Sequence, residues 1–401
     1  MIKFLHTADL HLGKIFYDHS LGEDQAVMLE NLARILEDDS CSVLVIAGDV
    51  YDRSIPSPEA VELFGAFLGN VKNRRPSLEI LVTPGNHDSA ARLGFGRELF
   101  ARLGIRFAVS AVDCDKPLIV EKDGESCAFF LLPFLNPGVL EGEAATEEGP
   151  VPLRSQSSLA EEAGRRMEKA RQELAGRGVS RSVLAAHLFA SGGAEAGSER
   201  VFIGNAELVN VSLFKGFDYI ALGHLHRCQR VGGNAWYAGS PLAYSFGETQ
   251  EKFFLSVELN DNGVEVEKIP VKPLRKVTSL AGTFERFAGD TSADRELLAA
   301  KDDYLEIRLT DRGITENARD ILRKRFPRLL SLRQDEALAG LSSTLAARAQ
   351  EGPRGERRCL SADFKDFLAS LYGDADTPDI SAEIELFNAL LAEVETGESS
   401  A

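Results

Sequence analysis

Nowhere in these 401 residues does an uninterrupted apolar run approach the roughly 18–20 residues that a membrane-spanning helix needs. No membrane helix is expected. The opening Met1-Ile2-Lys3-Phe4-Leu5-His6 lacks a signal peptide's apolar stretch and cleavage site. Cysteine is scarce. The five (Cys41, Cys114, Cys127, Cys228, Cys359) are odd in number, scattered, and form no CxxC. That argues against a disulfide framework or a structural zinc site, and for a reducing cytoplasm. No G-x-x-x-x-G-K-[ST] loop is present, so any ATP dependence must come from another subunit. Positive charge is in deficit: 45 Lys and Arg against 62 Asp and Glu give a net −17. Such a chain is a poor non-specific nucleic-acid binder. Bound divalent cations, however, invert the local field at a carboxylate-rich site.

What is present is ordinary for a globular protein, with 44% apolar and 27% charged residues. The length suggests two domains, or one large domain with an appendage. Short apolar runs at residues 2–6, 43–47, 79–82, 105–109, 127–132, 182–186, 219–222 and 253–257 read as strands. Helical patterns at 25–37, 58–71 and 159–175 alternate with them, which predicts an α/β layered domain. The Gly-, Pro- and Glu-rich stretch 136–158 reads as a loop insertion. Pro270 and Pro273 close the strand-rich part. Beyond them, 302–310, 315–325 and 329–333 read as strand, helix and strand, a small βαβ-like module. Residues 301–333 carry nine Lys and Arg against six Asp and Glu, which suits a solvated helix face at least as well as a DNA-contacting one. A polar Gly/Arg-rich linker at 345–358 precedes two short amphipathic helices. The expected organisation is therefore 1–272, 273–344 and 345–401.

Five of the seven histidines fall in clusters of one format, in which a buried strand ends and Asp, Asn or His follows. These are Asp9-Leu10-His11, Gly48-Asp49-Val50-Tyr51-Asp52, Gly85-Asn86-His87-Asp88, His187, and Gly223-His224-Leu225-His226. In an open α/β sheet, ligand sites form beyond the carboxyl ends of strands, where all five clusters can converge. Carboxylate, imidazole and amide oxygen suit two divalent metals of the Mn²⁺ kind, with Fe²⁺ or Zn²⁺ also admitted. Two such ions about 3.5–4 Å apart can activate a water and stabilise both oxygens of a phosphoryl displacement. One carboxylate must bridge them, and Asp49 is the best candidate. Gly48, Gly85 and Gly223 are expected to let the chain turn sharply at the strand ends. A lone strand-end histidine is more often a hydrogen-bonded structural residue than a ligand. The weight therefore rests on all five clusters in order.

This ordered set resembles the calcineurin-like metallophosphoesterase superfamily. The resemblance implies a two-layer β-sandwich flanked by helices. It assigns Asp9, His11, Asp49 and His226 to one metal, and Asp49, Asn86, His187 and His224 to the other. His87 would be the acid that handles the leaving oxygen without being a ligand. Asp52-Arg53 mimics the GD-x-x-D-R segment of protein Ser/Thr phosphatases, but Ser54 follows where those have glycine.

Within the superfamily the chain is similar to the SbcD family, the nuclease subunits of bacterial SbcC–SbcD complexes. The carrying residues include His6-Thr7-Ala8-Asp9-Leu10-His11-Leu12-Gly13, Pro84-Gly85-Asn86-His87-Asp88-Ser89 and, most specific to that family, Gly239-Ser240-Pro241-Leu242-Ala243-Tyr244-Ser245-Phe246-Gly247-Glu248. The similarity implies a Mn²⁺-dependent nuclease on double-stranded DNA ends and hairpins, acting as 3′→5′ exonuclease and endonuclease. It implies a DNA-capping α/β domain after the nuclease domain, a homodimer built from helices such as 58–71 and 97–103, and a nucleoid-associated protein. It also implies an SbcC-type ATPase partner, held by the C-terminal helices. In archaeal and eukaryotic relatives a second histidine stands at the position of Asp52, which leaves Asp52 either orienting metal ligands or structural. The rival readings are a small-molecule or cyclic-nucleotide metallophosphodiesterase and an inactive scaffold. Lys14, Tyr17, Arg53 and His19 are weaker candidates for DNA contacts.

Overall fold

The computed structural model describes residues 1–38, 40–142, 151–191, 193, 208–289, 294–311, 317–334, 364–365 and 381–397. The chain divides into two units, Met1–Val277 and Thr278–Ala401. The first runs β1 (Ile2–Thr7), α1 (Gly22–Ile35), β2 (Cys41–Ala47), α2 (Pro58–Arg74), β3 (Glu79–Thr83), β4 (Ile105–Phe107), β5 (Leu118–Lys122), β6 (Glu125–Leu132), α3 (Gln156–Ala175), β7 (Arg181–His187), β8 (Tyr219–Gly223), β9 (Gln229–Val231), β10 (Ala235–Tyr237), β11 (Phe253–Asn260) and β12 (Gly263–Pro270). Two six-stranded sheets result, in the orders β12-β11-β1-β2-β3-β4 and β9-β10-β8-β7-β6-β5. Strands β1 to β4 are parallel, as are β6, β7, β8 and β10; the flanking pairs are antiparallel.

Alternate side chains explain the two-layer sandwich. Val43, Val45 and Ala47 of β2 meet Val183 and Ala185 of β7 in a core between the sheets, with Phe4, Leu81, Phe129 and Tyr219. Leu184 and Ala186 point the other way, into a second core with Leu159, Ala163 and Met167 of α3. Strands covered on both faces need no polar alternation, so their sequences read as continuous apolar runs. Helix α3 starts at Gln156, inside the stretch read as loop, because Ser155 caps it by accepting from the Ser158 N–H. The rest of that stretch carries a short pairing of Glu141–Gly142 with Val151–Pro152.

Strands β5, β9, β10 and β12 lie outside the sequence reading. Strand β5 is hairpinned to β6 through Asp123-Gly124, both at positive φ, the signature of a tight two-residue turn. Strand β12 is a sheet edge carrying Glu265, Glu267 and Lys268, charges that guard an edge against further pairing.

In the second unit, β13 (Val277–Gly282), β14 (Tyr304–Leu309), α4 (Ala318–Arg325) and β15 (Leu329–Gln334) form a three-stranded sheet with its helix, in the order β13-β14-β15. Leu280, Phe287, Leu305, Ile307, Leu322 and Leu329 make its own core. Strands β14 and β15 are parallel, which is the small α/β module expected. Three of the basic side chains around α4 are spent on backbone. Arg319 donates to Leu330 O, Arg323 to Leu329 O, and Arg325 to Phe287 O and Gly289 O. The helix α5 (Ser381–Gly397) leaves Leu386 and Leu390 exposed, while Phe387 stacks on Phe364 with centroids 4.0 Å apart. The expected linker, most of the helix at 360–371, and the Thr377-Pro378 start lie outside the described residues. Among the described residues no helix is long and apolar enough to cross a membrane.

Candidate metal centre

The loops after β1 and β2 continue the parallel ladder beyond the strands. Asp9 N–H donates to Gly48 O (3.0 Å), His11 N–H to Asp49 O (3.0 Å) and Leu12 N–H to Val50 O (2.9 Å). Ala8, Leu10 and Leu12 are buried apolar plugs that alternate with Asp9 and His11. Asp9, His11, Asp49 and His224 all take positive φ, at 53°, 44°, 48° and 111°. Non-glycine residues held there cost on the order of 1–3 kcal/mol each, strain that clusters at functional sites.

The glycines serve closeness more than turning. Of Gly48, Gly85 and Gly223, only Gly48 has a positive φ. A Cβ on Gly85 would lie 2.1 Å from Asp49 Oδ1, and one on Gly223 only 1.7 Å from Ala47 O, where the two sheets touch. The expectation of sharp turns is thus corrected at Gly85 and Gly223: what those positions require is room.

The metal-ligand candidates Asp9, His11, Asp49, Asn86, His187, His224 and His226 come together, with His87 beside them. His11 Nε2 lies 3.1 Å from His226 Nε2. His187 Nε2 and His224 Nδ1 each lie 3.0 Å from Asn86 Oδ1, and 3.3 Å from one another. Asp49 Oδ2 stands between the groups, 3.4 Å from His187 Nε2 and 3.8 Å from His11 Nε2. Asp9 accepts the His224 N–H on both oxygens and falls in one cluster with Asp49 and His187. His87, half-buried, falls in the other with His11 and Asp49. Its N–H donates to Asp49 Oδ1 (2.9 Å) and its Nδ1 lies 2.8 Å from Asp52 O.

Behind the imidazoles lie different partners. Glu248 Oε1 is 3.1 Å from His226 Nδ1, and Lys252 Nζ donates to Glu248 Oε2 (2.5 Å), Ser240 Oγ (2.9 Å) and His226 O (3.0 Å). Asp52 Oδ1 is 3.5 Å from His11 Nδ1, which makes no hydrogen bond among the described residues, and accepts from Lys14 Nζ at 2.8 Å. His187 Nδ1 meets the backbone oxygen of Ala47 (2.9 Å), with Asp9 Oδ1 further off at 3.9 Å. Among the described residues His224 Nε2 is buried without a hydrogen-bond partner, beside the rings of Phe134 and Phe189. Glu248 and Lys252 are the residues that the sequence did not mark as part of the site. The only signal was the Gly239–Glu248 stretch itself, which carried no chemical role. Asp88 stitches the loops together, accepting from the N–H groups of Val50, Tyr51 and Gly85.

The electrostatics suit cations. Burial pushes the Asp9 carboxyl up to about 7, against the opposing pull of His187 and His226. Burial also raises Asp49, but His187, His11 and His87 outweigh it and hold that carboxyl below the usual range. Burial lowers His11 to about 4, and burial with the His187 charge lowers His224 to about 3, so both are neutral rings able to ligate. Burial disfavours charge on His226 and Glu248, yet their contact outweighs it, raising the imidazole and lowering the carboxyl. Two buried carboxylates, an amide oxygen and four ring nitrogens converge with lone pairs turned on one another. These crowded donors, His224 Nδ1 among them, fit divalent cations of the class that takes mixed N/O ligands.

The calcineurin-like phosphoesterase family profile matches residues 2–228. The SbcD component of the SbcCD nuclease of Staphylococcus saprophyticus is 30% identical over 334 residues, covering 82% of this chain and 84% of that protein. Among solved structures, the calcineurin-like phosphoesterase YfkN of Bacillus subtilis (15% identity, TM-score 0.37) covers 67% of this chain and 90% of that one. A dimetal phosphatase of Danio rerio (14%, TM-score 0.39) covers 68% and 99%. The chain belongs to the calcineurin-like phosphoesterase family, on the branch that carries the SbcD nuclease subunits, and is a metal-dependent phosphodiester hydrolase.

Proposed function

We propose that this chain is a two-metal, Mn²⁺-dependent DNA nuclease, a 3′→5′ exonuclease on duplex ends and an endonuclease on single strands and hairpins. It works with an SbcC-type ATPase in DNA end processing, replication and recombination. The observation that carries this reading is Asp49 Oδ2 between two donor groups, 3.4 Å from His187 Nε2 and 3.8 Å from His11 Nε2. On this reading Asp9, His11, Asp49 and His226 hold one cation, and Asp49, Asn86, His187 and His224 the other. Two such cations supply Lewis-acid stabilisation of the phosphoryl oxygens and an activated water. The nuclease name of the relative supports DNA as substrate.

His87 acts as the general acid. Its Nδ1–H donates to Asp52 O, which fixes the ring and turns Nε2 to the proton transfer. Its edge-on contact with His11, centroids 4.8 Å apart, keeps it beside the cations. Glu248 orients His226 from behind, and the Asp52 carboxylate 3.5 Å from His11 Nδ1 supports the reading of Asp52 as a residue that orients metal ligands.

Residues 1–272 form the nuclease domain, 273–344 the capping domain, and 345–401 the linker and partner-binding tail of a nucleoid-associated cytoplasmic protein. The apolar Leu386 and Leu390, exposed on α5, support a partner groove for the tail. Of the helix faces expected to self-associate, Phe64, Phe67 and Leu68 are buried and Phe100 is half-buried, while Val61 and Leu99 are exposed and, with the neighbouring exposed Phe95 and Leu103, support a homodimer contact there. The test compares linear duplex DNA, hairpin DNA and bis-p-nitrophenyl phosphate under Mn²⁺ and Mg²⁺. Cleavage of both DNA substrates is expected with Mn²⁺ and weak cleavage with Mg²⁺, which prefers all-oxygen shells. Turnover of the small diester without DNA cleavage would favour a small-molecule or cyclic-nucleotide phosphodiesterase.

A further inference from the structure

The imidazoles on the two sides of Asp49 are supported by different chemistry. On one side stand His11 and His226, their Nε2 atoms 3.1 Å apart. The Asp52 carboxylate lies 3.5 Å from His11 Nδ1 as a nearby charge, that nitrogen making no hydrogen bond among the described residues, while Glu248 Oε1 stands within hydrogen-bond reach of His226 Nδ1 at 3.1 Å. Each carboxylate is fixed in turn by a lysine, Lys14 at 2.8 Å and Lys252 at 2.5 Å. Glu248 is the more deeply placed of the two at 3% exposure, and Lys252 is 9% exposed. On the other side stand His187 and His224. His187 Nδ1 has the Ala47 carbonyl at 2.9 Å and the Asp9 carboxylate further off at 3.9 Å, and His224 Nε2 has aromatic rings and, among the described residues, no hydrogen-bond partner.

These supports are not equivalent. An imidazole N–H given to a carboxylate fixes the tautomer and the ring orientation, and it makes the opposite nitrogen a better donor to a cation. A backbone carbonyl fixes the tautomer with less charge behind it. Apolar rings pack the imidazole and supply no electron density.

We propose that the centre takes up its two divalent cations in a fixed order: the half holding His11 and His226 fills first and tightly because the Glu248 carboxylate positions His226 and the Asp52 carboxylate places negative charge beside His11, and the half holding His187 and His224 fills second. This rests on the two-metal reading above. Glu248 and Asp52 are positioning residues on this account, acting through His226 and His11. The weaker half then sets the cation concentration at which the centre is complete.

The experiment titrates Mn²⁺ into the cation-stripped full chain, followed by calorimetry and by electron paramagnetic resonance. The wild-type chain is expected to bind in two steps, the first about tenfold or more tighter, with the six-line spectrum of an isolated bound ion at one equivalent and a spin-coupled spectrum near two. Glu248→Gln keeps the size of the side chain but weakens its acceptance from the ring. It should weaken the first step about 10–100-fold and leave the second in place. Asp52→Asn should act on the same step, and it carries the test if Glu248→Gln fails to fold. Asn86→Ala should instead remove the second step and leave the isolated-ion spectrum. One indistinguishable step for both ions in the wild type, or equal weakening of both steps in a folded Glu248→Gln or Asp52→Asn chain, overturns the proposed order. A wild-type chain that binds no Mn²⁺ overturns the two-metal reading itself, and this inference with it.

Discussion

His87 is held at both ends, its backbone N–H by Asp49 Oδ1 and its ring Nδ1 by Asp52 O. On the proposed reading it gives a proton to a leaving oxygen and is not a cation ligand. His87→Ala should therefore keep two equivalents of Mn²⁺ by elemental analysis and keep DNA binding, while turnover falls about 10²–10⁴-fold, the usual worth of a general acid. Loss of bound metal in that variant would make His87 a ligand instead. His6 offers a test away from the cations. It is buried beneath the site with Nδ1 3.0 Å from the Tyr219 hydroxyl, and burial pushes it down to about 3 from 6.5. The unfolded chain binds this proton near its ordinary value, so between about pH 6.5 and 3 the unfolded state holds more protons. Stability therefore falls as pH drops through that window. His6→Gln should flatten the decline in unfolding free energy measured by urea between pH 7 and pH 5; an unchanged slope contradicts a neutral buried His6. The ligand candidates were legible because each closes a strand or follows its end within four residues. Glu248 was not, because its pairing with His226 depends on how a loop 22 residues further on folds back.

At the scale of elements, the strands were legible wherever both faces are covered, since β2, β3, β7 and β8 carry unbroken apolar runs. The edges were not. Strand β12 is mostly solvated and β9 is three residues long, so neither leaves a strong periodic mark. The helix α2 was marked at its start, where Ser57 caps and Pro58 follows. The close approach of the sheets at Gly223 was legible as a glycine but not as a contact, because its reason lies in Ala47 of the other sheet. Gly223→Ala should place a methyl against that backbone oxygen, which cannot rotate away. A loss of at least about 1–3 kcal/mol is expected, as for other overpacked sites, seen as a lower Tm together with weaker Mn²⁺ binding because His187 lies against the same point. A Tm equal to wild type would contradict the close packing described.

For the whole molecule, the acidic total of −17 gave no hint of a nucleic-acid enzyme. The basic excess in 301–333 proves partly internal, with Arg319, Arg323 and Arg325 bound to carbonyls of their own unit. Each unit has its own apolar core. Truncation after about residue 345 should therefore leave a folded, Mn²⁺-dependent nuclease that no longer binds the ATPase partner; co-purification at unchanged affinity would show that the tail is not the docking element. The central claim, that paired cations bridged by Asp49 drive hydrolysis of DNA, meets its most direct test in one assay. Linear duplex DNA is incubated with Mn²⁺, with excess EDTA after dialysis, and with Mn²⁺ and the Asp49→Ala chain. The account predicts degradation in the first case and none in the other two, whereas full activity in EDTA or with Asp49→Ala would contradict it.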